Sequence, residues 1–163
     1  MRIKKVVFTL LIIILAFSVM APGINAPGYY TVKRGQTVSI ARGRAGVHFS
    51  MSNYNGTVKV TRRSTDKVPG DVEPKFTENL IDVRLTDSSG KTVTHVLGAV
   101  YVYFQVRPKD LRLWDQGQLS IYYFDTWKKE WRTCYTYAVR NGKNITSLGC
   151  RMRVFGLYGV ARK

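Results

Sequence analysis

A two-residue rhythm of apolar and polar side chains constrains this chain more than any other feature. In Gly56–Arg62, Val58 and Val60 alternate with Lys59 and Thr61. In Val47–Met51, Val47, Phe49 and Met51 alternate with His48 and Ser50, and Gln36–Ile40 sets Val38 and Ile40 on one face. Successive side chains of an extended strand point to opposite faces, so such runs turn one face to a core and the other to water. Tyr29–Val32, Leu80–Leu85, Lys91–Leu97, Leu119–Phe124, Trp131–Val139, Ile145–Arg151 and Met152–Ala161 read as further strands. Ala99–Val106 is the most β-prone run and is apolar on both faces at its start, which predicts a central, covered strand. Asn53–Gly56, Asp87–Gly90 and Asn141-Gly142 supply turns. Ala41–Gly46 reads as a basic loop, Ser64–Thr77 as a long surface loop or inter-strand crossing, and Pro108–Leu111 as one helical turn. No long segment carries a 3.6-residue period. The expectation is an all-β fold, an antiparallel β-sandwich of roughly ten short strands, as the ~8–12-residue spacing of turns suggests.

The first residues follow a different pattern. Arg2, Lys4 and Lys5 precede an apolar run from Val6 to Met20, and small residues follow at Ala21, Gly23 and Ala26. Residues 1–26 therefore read as a secretory signal, with Ala21-Pro22-Gly23 suiting cleavage before Ile24. The alternative is an uncleaved N-terminal membrane anchor helix, although the run is short of the ~20 residues that span a bilayer comfortably. Residues 27–163 are then a single sandwich domain, secreted or held extracytoplasmically, long enough for one core.

Cys134 and Cys150 fit an oxidising compartment and are expected to pair, the alternative being two buried thiols. They flank a hairpin about Asn141-Gly142. A two-residue turn there pairs Arg140 with Lys143 and sets Cys134 opposite Gly149, so Cys150 misses by one position. A bulge, for which Gly149 is the natural residue, or a three-residue loop over Asn141–Lys143 restores the match.

The chain holds 26 Lys and Arg against 10 Asp and Glu, a net charge of +16. A field of that size attracts anionic partners: a cell-wall polymer, an acidic polysaccharide or a membrane surface. Candidate surface residues are Arg42, Arg44, Arg62 and Arg63, together with Tyr122, Trp127, Lys128 and Lys129. Aromatics interleaved with lysines also suit single-stranded nucleic acid, which export disfavours; exposed Trp and Tyr suit sugar faces, and core packing is the plain alternative. No phosphate-binding glycine loop leads a strand into a helix, which argues against a nucleotide partner. His48 and His95 are the only histidines, and with two cysteines they make a poor zinc set, so neither metal nor cofactor is expected. The carboxylates are scattered, and no nucleophile, base and orienting group stand in a recognisable motif. His48-Phe49-Ser50 admits a self-cleaving reading, in which His48 activates the Ser50 hydroxyl against the Phe49 carbonyl. The plain alternative is a strand with Phe49 inside. Asn55-Gly56-Thr57 and Asn144-Ile145-Thr146 match the N-glycosylation acceptor pattern, relevant where the host glycosylates.

Several stretches resemble one family. Pro108-x-Asp110-Leu111, Leu119-x-Ile121-Tyr122-Tyr123-Phe124-Asp125, Trp131 and Phe155-Gly156-Leu157-Tyr158-Gly159 are similar to the tail half of β-sandwich modules on bacterial surface and secreted proteins. Those modules are similar to the sandwich of ankyrins and netrin receptors. Thr37–Gly43 and Gly56–Val60 resemble the family's first strands. The resemblance implies a non-enzymatic structural or interaction module. Some animal relatives self-cleave at a late His-Phe-Ser; here that tripeptide lies early, and the last strand holds Val154-Phe155-Gly156. The expected function is thus a non-catalytic, exported binding or structural module at the cell envelope. The alternatives are a secreted cationic effector and an autoproteolytic module cleaving between Phe49 and Ser50.

Overall fold

The apolar faces of these strands meet between two antiparallel sheets. A computed structural model describes residues 28–40, 43–51, 54–66, 68–70, 74–77 and 80–163. The expected signal or anchor segment over 1–26 and Arg42 lie outside the described residues. In chain order the elements are β1 (Tyr29–Thr31), β2 (Gln36–Ile40), β3 (Ala45–Met51), β4 (Gly56–Arg63), β5 (Lys75–Phe76), β6 (Leu80–Asp87), β7 (Thr92–Val93) and β8 (Ala99–Gln105). A helix α1 (Pro108–Asp115) follows, then β9 (Leu119–Asp125), β10 (Glu130–Cys134), β11 (Thr136–Asn141), β12 (Asn144–Arg151) and β13 (Leu157–Arg162). The first sheet runs β1-β4-β6-β13-β9-β10, with β5 on β13 and β7 on β6; the second runs β11-β12-β8-β3-β2.

One core lies between the sheets. Val58, Val60, Val83, Leu85 and Ile121 from the first sheet and Val47, Phe49, Val100 and Val102 from the second are buried in it. Each is an alternation position, so the period-2 pattern decides which face turns inward. β8 is central in its sheet, between β12 and β3, as its composition predicts. A smaller apolar cluster covers the outer face of the first sheet. Trp131 packs against Phe124 (ring centroids 5.4 Å apart) and Phe76 (4.8 Å), and its indole N–H donates to the Pro69 carbonyl at 2.8 Å. Pro69 and Phe76 of the long loop are therefore held against the sheet, and Lys75–Phe76 pairs with β13.

The described residues form thirteen strands where the sequence predicts roughly ten. β5 is too short to stand out as a pattern, and the expected strand Trp131–Val139 is two strands in different sheets. The chain steps between sheets at Tyr135, leaving β10 on β9 and β11 on β12. The Thr136 hydroxyl secures this step, donating to the Cys134 carbonyl at 2.9 Å and accepting the Ile121 N–H at 2.8 Å. The expected Lys91–Leu97 run is regular only over Thr92–Val93 and an isolated bridge between His95 and Val154. The single expected helical turn is the two-turn α1. Pro108 opens it without losing a bond, since the N–H at that position has no intrahelical partner. The buried Asp110 in its first turn accepts from Arg107 Nε at 2.6 Å.

The disulfide forms, but its setting corrects the hairpin expectation. Cys134 sits in the first sheet and Cys150 in the second, with Cα atoms 6.1 Å apart, so the bond joins the two layers. The hairpin has its bulge, yet not at Gly149. Asn141 pairs with Asn144 and Val139 with Ser147, which leaves Thr146 as the extra residue. The turn is Gly142-Lys143, with Gly142 at φ 59°, a conformation glycine adopts without Cβ strain. Gly149 is used differently: Tyr137 lies over it.

Candidate functional site

The step at Tyr135 and the disulfide beside it open a broad groove of about 1060 Å³. Tyr101, Tyr122, Tyr135 and Tyr137 line it with Arg132, Arg151 and Arg153, and Glu130 is the one carboxylate among the lining residues. Pairing register brings these residues together. Arg151 of β12 lies opposite Tyr101 of β8, and Tyr137 of β11 lies opposite Gly149 of β12. A Cβ on Gly149 would stand 2.9 Å from the Tyr137 ring, so the absent side chain is what lets that ring lie flat on the sheet. Tyr137 and Tyr101 meet edge to face, centroids 6.3 Å apart at 84°, an arrangement that the ring quadrupoles favour. Tyr135 projects into solvent, 88% exposed.

The same glycine device recurs further along this sheet. The row Tyr137–Gly149–Tyr103–Gly46–Ser39 crosses all five strands. Tyr103 covers Gly46, and its hydroxyl is hydrogen-bonded to Ser39 Oγ. Tyrosine rings thus pave the outer face of the second sheet and run into the groove.

Two of the three arginines are held in place. Arg132 pairs with Asp125 at 3.5 Å and Glu130 at 3.6 Å, and Arg151 donates to the Gly98 carbonyl at 3.1 Å. Burial pushes the Tyr122 and Tyr137 phenols above their ordinary range, and the neighbouring Tyr101 adds to the effect on Tyr137. Both remain un-ionised donors through neutral pH. Aromatic faces, phenol donors and fixed guanidinium groups equip the groove to stack a ring and to hold an anionic group on it.

The structure disperses the residues singled out from sequence. Tyr122 is in the groove, and the Cys134–Cys150 bond stands at its base. Arg44 and Arg62 meet beside Arg107 in a separate cleft of about 320 Å³. Arg62 and Arg63 border a depression on the outer face of the first sheet, with Lys59 and Arg84. Trp127, Lys128 and Lys129 form the exposed β9–β10 turn, where Asp125 Oδ1 accepts the Trp127 and Lys128 N–H groups at 3.1 Å each. Trp127 is 92% exposed and lines neither the groove nor the cleft. Tyr101, Tyr135, Tyr137, Arg132, Arg151 and Arg153 are the residues that sequence reasoning missed. For Tyr101, Tyr137, Arg132 and Arg151 the one sequence signal is the polar or aromatic phase of their strands, while Tyr135 and Arg153 lie between strands and carry none.

The tripeptide His48-Phe49-Ser50 lies within β3, between β2 and β8. Phe49 is fully buried, and His48 Nδ1 is hydrogen-bonded to Thr37 Oγ1 at 2.8 Å. Ser50 is the extra residue of a bulge against β8. His95 is exposed and its carbonyl accepts from the Tyr54 hydroxyl at 3.1 Å. Among the described residues no three His, Cys, Asp or Glu side chains gather as a metal-binding group. Nor is any helix among them long and apolar enough to cross a membrane. Compared with protein-family models, with curated proteins and with solved structures, the chain matches none.

Proposed function

We propose that this chain is an exported, non-catalytic β-sandwich module that binds an acidic polysaccharide at the cell envelope through the tyrosine–arginine groove. The carrying observation is the composition of that groove: five tyrosines, of which only Tyr123 is buried in the core, and three arginines against one carboxylate. A neutral sugar needs stacking faces and hydroxyl partners, and a lone anion needs charge. A chain of acidic sugars uses both together. The net charge of +16, three units of which come from Arg2, Lys4 and Lys5 in the leader, supports the reading by drawing polyanions toward the surface. The apolar leader, the disulfide and the resemblance to bacterial surface modules support export.

Titration calorimetry of the mature protein with polygalacturonate, and with dextran as the neutral control, tests this. Saturable binding of the acidic polymer is expected, and Tyr135→Ala or Arg151→Gln should each weaken it about tenfold, the loss of one good contact. Equal affinity for dextran, or variants that bind like the parent, would sink the proposal.

The charge also favours a second reading, a secreted cationic effector. That reading predicts loss of viability in cells exposed to the protein and no retention on the producing cell. The self-cleaving alternative predicts two fragments meeting at Phe49 and Ser50. Intact mass of the exported protein, with and without reductant, distinguishes it from the unbroken mature chain expected here.

A further inference from the structure

A second cationic surface lies away from the groove, on the outer face of the first sheet. Lys59 of β4 and Arg84 of β6 stand directly opposite each other. Like charges in that relation destabilise a sheet, so such a pair calls for compensation. Each cation is drawn aside. Lys59 Nζ sits 4.6 Å over the Tyr29 ring and 3.4 Å from its hydroxyl. Both Arg84 Nε and Nη2 reach Asp82 Oδ2 at 3.0 Å, and Arg63 Nη2 reaches the same oxygen at 3.3 Å.

Asp82 therefore gathers two guanidinium groups on a single oxygen. Its side chain is 7% exposed, while those of Arg63 and Arg84 are 54% and 63% exposed. The buried carboxylate neutralises one charge and fixes two heads whose outer edges remain in solvent. With Lys59 the group carries three cations against one anion. The hydroxyl side chains of Thr61, Thr86 and Thr92 line the same depression of about 450 Å³.

We infer that this face is a binding site for a tetrahedral oxyanion, the phosphate or sulfate ester of a ligand. Two guanidinium groups and an ammonium on one face offer donors from three directions. A tetrahedral oxyanion has enough peripheral oxygens to accept from all three, and a planar carboxylate has two. Guanidinium edges suit such oxyanions, and their prior immobilisation by Asp82 reduces the ordering that binding requires. None of these residues lines the groove, so the site stands whether or not the groove takes a polysaccharide.

NMR titration of the isotope-labelled mature protein with inorganic phosphate, sulfate and acetate at matched ionic strength tests the inference. Saturable shifts are expected for the amides of Thr61 and Thr86 and the Nε–H signals of Arg63 and Arg84 with phosphate or sulfate, but not with acetate. Whichever oxyanion binds more tightly names the ester. Arg84→Gln should weaken binding about tenfold, leaving Arg63 to neutralise Asp82. Lys59→Gln, which leaves the Asp82 cluster intact, should weaken it severalfold and guards against misfolding of the first variant. The double variant Tyr135→Ala, Tyr137→Ala should bind the oxyanion like the parent. A linear, non-saturating response, an equal response to acetate, or unchanged affinity in both charge variants would overturn the site.

Discussion

Tyr137 over Gly149 joins the sheet to the groove at the scale of single residues. Gly149→Ala would push a methyl group to 2.9 Å from the ring's Cζ and hydroxyl. The ring is at the surface and can tilt, so the cost should fall at the low end of overpacking, about 1 kcal/mol. A urea midpoint reads that cost, and near-ultraviolet dichroism should report the displaced tyrosine. Phe49 is the contrasting case. It is fully buried, its place in β3 allows little collapse, and Phe49→Ala should cost ~3–5 kcal/mol by denaturant unfolding. Tyr135, almost wholly in solvent, should change stability by less than ~0.5 kcal/mol when cut to alanine. Its effect belongs to binding, and the contrast between stability and affinity in this one variant separates groove from core.

At the scale of elements, the decisive feature is the strand that changes sheets. Between Cys134 and Thr136 the backbone leaves β9 and joins β12, and the disulfide ties the two layers at that place. The bond closes a separation of 16 residues, for which the chain-entropy model gives ~3 kcal/mol. Replacing both cysteines by alanine should lower the unfolding free energy, read by denaturant titration, by about that amount without abolishing the fold, because most of the core cluster around Cys134 and Cys150 is built by other residues. The thiol-free variant should also bind polymer less well, since the groove wall is then anchored by Thr136 alone. Thr136→Val removes the acceptor of the Ile121 N–H and should cost ~1–3 kcal/mol, the penalty of an unsatisfied buried donor.

For the whole molecule, proton linkage sets the alkaline limit. Burial pushes the phenols of Tyr54, Tyr122, Tyr137 and Tyr158 above their ordinary value of 10.0, Tyr158 the furthest. A raised folded-state value means stability is fully present below the unfolded value and is lost as pH rises toward the folded one. Above pH 10 the unfolded chain holds fewer protons than the native one, so the slope is negative. Unfolding free energy should therefore be flat to pH 9 or so and then fall, with phenolate absorbance rising in two stages, exposed tyrosines before buried ones. Asp87 and Asp125 act at the other end. Hydrogen bonds from the Ser89 side chain and the Lys128 backbone, respectively, are the largest influences holding their carboxyls below the usual range. The turns they brace should loosen only as pH falls through those lowered values. Salt screens the net positive field, so polymer affinity should drop as ionic strength shortens the ~10 Å screening length at 0.1 M.

The alternation of Val58, Val60, Val47 and Phe49 determined by itself that the chain builds sheets and which faces are buried, because side-chain direction is a local consequence of extended backbone. The pairing of Cys134 with Cys150 was legible for a similar reason: two cysteines allow one intramolecular bond. Which strands neighbour each other was not legible, since partner choice depends on contacts between distant segments. Trp131–Val139 keeps one rhythm through Tyr135, and nothing in that rhythm marks the change of sheet. The bulge at Thr146 and the ring over Gly149 follow from that pairing. So does the groove, whose tyrosines and arginines range from Tyr101 to Arg153 and become neighbours only when β8, β9, β10, β11 and β12 are assembled. Tertiary structure alone decided the site, because register and layer packing join residues that no local spacing connects.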